Sequence, residues 1–186
     1  MSFNNFDEDL IVLFQKGERE SFKFLVDKYT SSIFNFSARL VGRENASDIV
    51  QEVFLKVWKN LRKFDISKSS FKTWLFTITK NTITDFLRKR KNINFSDLEN
   101  FEDEISFSET IPDEDLLPEE AFQKLQNVEL LNNLLEKLPE HYKTILILHY
   151  QEEMTFDEIG KVLNKPLNTV KSHYRRAVIK LREMLK

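Results

Sequence analysis

Thr155-Phe156-Asp157-Glu158-Ile159-Gly160-Lys161-Val162-Leu163-Asn164-Lys165-Pro166-Leu167-Asn168-Thr169-Val170-Lys171-Ser172 holds a helix start, a helix stop and a second helix start in one short run. Thr155 with Glu158 three residues on is a capping box, in which each side chain satisfies the other residue's backbone N–H. It opens a short helix that turns Ile159, Val162 and Leu163 to one side. Asn164 tolerates the left-handed backbone conformation and Pro166 ends the helix, so the chain turns there. A longer basic helix begins over Asn168-Thr169-Val170 and ends near Leu185, with Val170 facing inward. Short helix, tight turn and basic helix read as helix-turn-helix, whose second helix lies in the major groove with its N-terminal residues at base edges. Here those residues are Thr169, Lys171, Ser172, His173, Arg175 and Arg176. An ordinary helical hairpin with a charged outer face is the plainer alternative.

Helical periodicity continues upstream. Leu130, Leu131, Leu134, Leu135 and Leu138 form a stripe that stops at Pro139, where proline suits the first turn of the next helix. Tyr142, Ile145, Leu146 and Leu148 make the following stripe. Nearer the N-terminus, Phe22, Leu25, Val26, Tyr29, Ile33, Phe34, Phe36 and Leu40 recur at helical spacing up to Gly42. A second helix follows, with Asn45 as its cap, Asp48 in its first turn and Ile49, Val50, Val53, Phe54, Val57, Trp58 and Leu61 on its buried stripe. The polar breaker 65–70 comes after Phe64, and a third helix runs from Phe71 towards Arg88-Lys89-Arg90-Lys91. Aromatics and cations interleave there. Phe64, Phe71 and Trp74 bracket the loop and can stack an unpaired base while Lys68, Lys72, Lys80 and Arg88 hold phosphates. Trp74, beside Leu75 and Ile78, reads first as core, whereas Phe64 and Phe71 stay open between packing and stacking.

The 186 residues are 41% apolar and 31% charged, with only 3 Gly and 4 Pro, a composition for long helices rather than hairpin-rich sheets. The expected fold is all-α with two small helical domains. Charge divides the chain in the same way: residues 1–92 carry net +6, residues 93–120 net −11, and residues 121–186 net +3. The acidic stretch, with Pro112 and Pro118, reads as a linker able to average about 30 Å end to end as a coil. A solvated loop that only aids solubility is the other account of it. Absence of Cys excludes disulfides, thiolate metal sites and a cysteine nucleophile. His141, His149 and His173 lack a metal-ligand spacing and no Gly-rich phosphate loop is present, so neither an enzyme nor a cofactor is expected. The acidic N-terminus does not look like a signal peptide and no apolar run reaches membrane-spanning length, which favours the cytoplasm.

Taken in order, these motifs resemble the sigma-70 family of transcription initiation factors, in particular its two-domain extracytoplasmic-function (ECF) group. The resemblance rests on Asp48-Ile49-Val50-Gln51-Glu52-Val53-Phe54, on Phe71, Trp74, Leu75, Ile78, Asn81, Asp85 and Arg88, on Leu138-Pro139, and on Glu158-Ile159 with Thr169-Val170-Lys171-Ser172. Departures are Gly160 where the family usually has Ala, Asn164 and Asn168 where it has Gly, and Lys143 and His173 where Arg is common. The resemblance implies a region-2 domain over 1–92, an acidic linker over 93–120 and a region-4 helix-turn-helix domain over 121–186. It implies that Asp48, Gln51, Glu52 and Phe54 bind core RNA polymerase at the clamp helices of the largest subunit. It assigns the −10 element to Phe64, Ser69, Ser70, Phe71, Lys72, Lys80, Asn81 and Arg88, and the −35 element to Thr169, Lys171, Ser172, His173, Arg175 and Arg176. The second domain would rest on the flap of the second-largest subunit, with the linker threading the polymerase as a nucleic-acid mimic. An anti-sigma partner and a monomeric free state are also implied. For Asp48 a helix-dipole role competes with docking, and for Asn81 a helix hydrogen bond competes with base reading. A helix-turn-helix regulator acting without polymerase would account for residues 155–184 and leave the first half unexplained.

Overall fold

The computed structural model describes residues 4–91 and 133–184, and the described residues form helices joined by turns, with no strand among them. The acidic stretch 93–120, Leu130 and Leu131 lie outside the described residues. The chain divides into two compact units.

The first unit holds α1 (Asn4–Gln15), α2 (Ser21–Val41), α3 (Arg43–Asn60), a 3-10 turn (Leu61–Lys63) and α4 (Phe71–Lys91). Helix α2 packs against α1, α3 and α4, so its buried face supplies the middle of the core. Leu25, Tyr29, Ile33 and Phe36 of α2 are buried, as are Leu10, Ile11 and Phe14 of α1, Ile49, Val53 and Val57 of α3, and Leu75, Phe76 and Ile83 of α4. Phe36 and Phe76, both fully buried, meet edge to face at 5.4 Å. Each such side chain contributes about 1.5–3 kcal/mol by leaving water.

Helix α1 is not marked by the periodicity that identifies α2 to α4. Its acidic start hides a buried Asp7, whose carboxylate accepts from Lys28 Nζ at 2.6 Å and from the Tyr29 hydroxyl at 2.5 Å. A carboxylate can be buried there because α2 supplies both donors.

The joint between α2 and α3 is Gly42 alone, with φ 84° and ψ 153°. That backbone state favours glycine and lets α3 begin at Arg43, earlier than the expected cap at Asn45. Asn45 lies inside the helix and its side-chain amide donates to the Val41 carbonyl at 2.7 Å, closing the end of α2 instead of the start of α3. Glu44, not Asp48, occupies the first turn of α3.

The second unit includes α5 (Glu140–Tyr150) and α7 (Leu167–Met184), which pack on one another. Between them in sequence lies α6 (Phe156–Leu163). A helical turn over 133–136 leads in, with Leu134, Leu135 and Leu138 buried. Pro139 sits just ahead of α5 rather than in its first turn, its carbonyl accepting from the Tyr142 and Lys143 amides. Ile145, Leu146, Ile147 and Leu148 are buried, as are Val170, Tyr174, Ala177, Val178 and Leu181 of α7. Rings hold the start of α6: Phe156 stacks on His149 at 4.7 Å and lies 4.9 Å from Tyr174. The Tyr150 and Tyr174 hydroxyls are hydrogen-bonded, and burial together with that contact pushes the Tyr174 phenol above its ordinary range.

Candidate functional site

Three surfaces gather the residues singled out from sequence. The first is a face of α3. Asp48, Gln51 and Glu52 are exposed, and with Leu55 they follow the spacing that aligns side chains on one side of a helix. Leu55 is 60% exposed, so an aliphatic side chain lies in the open beside a carboxylate and an amide. Glu52 pairs with Lys56 at 2.8 Å on the same helix. Phe54 is buried, which corrects its expected role as a docking contact: it belongs to the face turned to the core. Trp58 departs from the buried stripe in the other direction. It is 38% exposed, set edge-on against Phe14 and Phe22 with ring centroids 5.0 Å apart in each case. Because α3 starts at Arg43, Asp48 lies beyond the first turn, where the helix dipole falls off, and the dipole account of it weakens.

The second surface is the loop between the 3-10 turn and α4. Asp65 folds it: its carboxylate accepts from the Ser67 amide at 3.0 Å and the Ser67 hydroxyl at 2.7 Å. Those two bonds, the hydroxyl's first, hold the Asp65 carboxyl below the usual carboxylate range. Ser70 begins α4, with its hydroxyl oxygen accepting from the Thr73 amide at 3.2 Å and sharing a bond with the Thr73 hydroxyl. The Ser70 side chain is therefore engaged in helix capping. Ser69 is half-buried, its hydroxyl donating to the Ser70 carbonyl at 3.2 Å.

Aromatic roles in this loop differ from the sequence reading. Phe71 is 3% exposed, lodged 5.5 Å from the Tyr29 ring, so it is core and not a stacking platform. Trp74, read first as core, is half-buried and lies against half-buried Phe64 at 4.6 Å with 34° between planes. The pair at the edge of the loop is thus Phe64 with Trp74. Along α4, Trp74, Asn81, Asp85 and Arg88 share one side by helical spacing. Asn81 and Arg88 are exposed, and Arg88 donates to Asp85 at 2.9 Å. Lys72 and Lys80 are half-buried, while Lys68 reaches Asp65 at 3.6 Å.

The third surface is the start of α7. The capping box forms as read: Glu158 Oε2 accepts from the Thr155 amide and hydroxyl, each at 2.9 Å, and the Glu158 amide donates to the Thr155 hydroxyl oxygen at 3.3 Å. Asn164 takes φ 52°, the left-handed state expected of it. Val170 is buried, which turns Lys171 and Arg176 outward, with Thr169, Ser172 and Arg175 half-buried beside them. Asn168 and Leu167, exposed at the first positions of α7, extend this surface and were not among the base contacts read from sequence.

His173 is the exception on α7. Its ring lies 5.3 Å from His141 and 5.9 Å from Tyr142 of α5, half-buried, which leaves packing rather than base reading as its visible role. Burial first, then Arg176 and Lys165, lower the His173 pKa. The same burial, with His173, Lys180 and Arg176 close by, pulls His141 down to about 4. Both rings are neutral at pH 7. No group of three or more His, Asp or Glu suited to a metal ion occurs among the described residues.

Comparison with known proteins matches a Sigma-70 region 2 family model to residues 25–93 and a Sigma-70 region 4 model to residues 129–181. The ECF RNA polymerase sigma factor SigW of Bacillus subtilis is 34% identical over 175 residues, covering 92% of this chain and 92% of its own length. The ECF RNA polymerase sigma-E factor of Escherichia coli K12 is 28% identical over 177 residues, covering 92% of this chain and 90% of its own. Among solved structures, CnrH in complex with the cytosolic domain of CnrY has a TM-score of 0.67 at 22% identity, covering 97% of each chain. RpoE in complex with the anti-sigma factor NepR from Bartonella quintana has a TM-score of 0.66 at 22% identity, covering 89% of this chain and 97% of its own. Both structures share the all-helical fold.

Proposed function

The chain belongs to the ECF group of the sigma-70 family, and from that premise we propose how its surfaces divide the work of starting transcription. It is a promoter-recognising transcription initiation factor. The observation that carries this reading is the order of its parts: a region-2 match and a region-4 match in one chain, on either side of a stretch with eleven carboxylates and no Lys or Arg.

In this reading the α3 face of Asp48, Gln51, Glu52 and Leu55 docks on the clamp helices of core RNA polymerase. On docking, Leu55 would bury apolar area beside these polar side chains, as interface cores do. The loop from Phe64 to Ser70 and the outer side of α4 take the single-stranded −10 element. An unpaired base stacks on the Phe64–Trp74 pair, Asn81 offers an amide to a base edge, and Lys72, Lys80 and Arg88 hold phosphates. The start of α7 reads the −35 duplex from the major groove through Asn168, Lys171, Ser172, Arg175 and Arg176. The working partition is a region-2 domain over 1–92, a linker over 93–120 and a region-4 domain over 121–186.

Promoter opening in this scheme needs no bond-making group. Trapping an extruded base offsets its lost stacking, and polymerase contacts supply the rest. An anti-sigma protein would silence the chain by covering the polymerase-docking faces, and the cytoplasm is where promoter and polymerase are met.

The test is run-off transcription with bacterial core polymerase on a promoter library. The expected outcome is initiation at a shared pair of elements, abolished by omitting the chain. Binding of the chain alone to an operator, with no initiation from cognate core, would favour an autonomous helix-turn-helix regulator. Asp48→Arg should weaken core affinity in a titration while leaving the helical circular dichroism unchanged; unchanged affinity would remove α3 as the docking face.

A further inference from the structure

Helix α1 lies ahead of residues 25–93, so the region-2 match gives it no part in the function. Its contacts nevertheless converge on the loop that the reading above gives to the −10 strand, and the present inference rests on that reading. Gln15, the last residue of α1, donates from Nε2 to the Leu61 carbonyl at 3.1 Å and to the Phe64 carbonyl at 2.9 Å. Leu61 opens the 3-10 turn and Phe64 follows its last residue. Leu61 is fully buried and its carbonyl also accepts from the Phe64 amide at 3.2 Å, while Phe64 turns the chain to extended backbone at φ −67° and ψ 131°. Holding the Phe64 carbonyl fixes the plane of the peptide joining Phe64 to Asp65, and with it the direction in which the loop leaves.

The far end of the loop is tied to the same helix by another route. Phe71 is buried beside the Tyr29 ring, and the Tyr29 hydroxyl donates to Asp7 of α1 at 2.5 Å. Between these moorings Asp65, Ile66, Ser67 and Lys68 are exposed. A short exposed segment fixed at both ends loses less conformational freedom when a strand binds it than one that is free to move.

We infer that α1 is the brace of the strand-capturing loop and that Gln15 is a positioning residue for promoter opening, acting through the Phe64 carbonyl rather than by touching DNA. Its amide reaches that carbonyl at 2.9 Å.

The experiment uses holoenzyme assembled from the full chain and core polymerase. The probe is a fork-junction DNA, single-stranded on the non-template strand over the −10 element that the wild-type holoenzyme selects from a randomised library. Gln15→Ala, Gln15→Glu, Gln15→Lys and Phe64→Ala are compared for affinity to this probe, affinity for core polymerase and thermal midpoint. Loss of these hydrogen bonds should weaken fork-junction binding about threefold to tenfold in Gln15→Ala and Gln15→Glu, with core affinity unchanged. Gln15→Lys, which keeps a donor for the two carbonyls, should restore most of the loss. Wild-type fork-junction binding by Gln15→Ala and Gln15→Glu, with Phe64→Ala impaired, overturns the brace and leaves the loop reading intact. Wild-type binding by Phe64→Ala overturns the loop reading and the brace together. Core affinity falling in step with fork-junction affinity would mean that the amide merely holds the unit together, and also overturns the proposal.

Discussion

The two surfaces proposed to meet DNA are built on opposite principles. The loop of the first unit is short and aromatic, and its charges are partly answered within the unit: Lys68 pairs with Asp65 and Arg88 with Asp85. The stretch 159–182, which contains nearly all of α7, carries seven Lys and Arg and no Asp or Glu. One surface offers a ring pair to a base that has left its stack; the other offers a helix rich in Lys and Arg to a duplex. Stacking depends weakly on salt and strongly on ring area, whereas phosphate neutralisation releases counterions and depends steeply on salt. A loop must also be held still, and this one is moored at both ends, while α7 obtains its rigidity from its own ladder and from Val170, Tyr174 and Val178 in the core.

The comparison breaks most sharply at Phe64. Its truncation to Ala removes half of the ring pair, and base stacking is worth about 1–3 kcal/mol, so affinity for forked promoter DNA should fall about five-fold to more than a hundred-fold. Affinity for an isolated −35 duplex should not change. Equal losses on both probes, in parallel anisotropy titrations, would mean that the ring supports the whole first unit and not a base.

Lys171→Ala examines the other surface with a smaller effect. If Lys171 neutralises a phosphate, binding weakens on all −35 sequences alike and the slope of log affinity against log salt drops by about 0.9. If it reads a base edge, the loss is confined to one position of the element and amounts to about 1–3 kcal/mol. The fork-junction contribution should show the shallower salt slope in either case. A steeper slope for the fork than for the −35 duplex would reverse the contrast.

What could be read in the sequence follows from the range of the interactions involved. The capping box of α6, the left-handed Asn164 and the inward Val170 are set within a few residues, and the structure has all three. Helices α2 and α4 were legible for the same reason, their apolar spacing being regular. The expected Asn45 cap failed because Gly42, three residues earlier, offers a backbone state that starts α3 without a side-chain cap. Helix α1 was hidden because Asp7 finds its partners on α2, at Lys28 and Tyr29, and no local pattern announces a carboxylate bridged across that distance. The aromatic assignments near the loop depended on tertiary contacts too. Phe71, open between packing and stacking by sequence, is core because Tyr29 covers it, and Trp74, which reads first as core, is half-buried against Phe64. Leu55 could have been noticed: it falls off the stripe of Ile49, Val53 and Val57 and onto the side of Asp48 and Gln51.

The smallest expected effect separates the two units by pH. All three histidines, His141, His149 and His173, follow residue 140, and both tryptophans, Trp58 and Trp74, precede residue 92. His141 has a folded pKa of about 4, lowered chiefly by burial and then by His173, Lys180 and Arg176, and His173 is lowered for the same leading reason. The unfolded chain, with histidine near 6.5, takes up these protons first as the pH falls. Stability of the second unit is therefore undiminished above about pH 6.5, declines as the pH drops towards 4, and loses nothing more from His141 below that value. The first unit has no histidine to respond in this window. Thermal melts at pH 7.5 and pH 5 would separate the units, since tryptophan fluorescence reports the first alone and far-ultraviolet circular dichroism reports both. The dichroism transition should gain an earlier component at pH 5 while the fluorescence midpoint moves less, and His141→Gln should remove part of that component. A fluorescence midpoint that fell as far as the dichroism midpoint would mean that acid acts on carboxylates common to both units rather than on the histidine pair of α5 and α7.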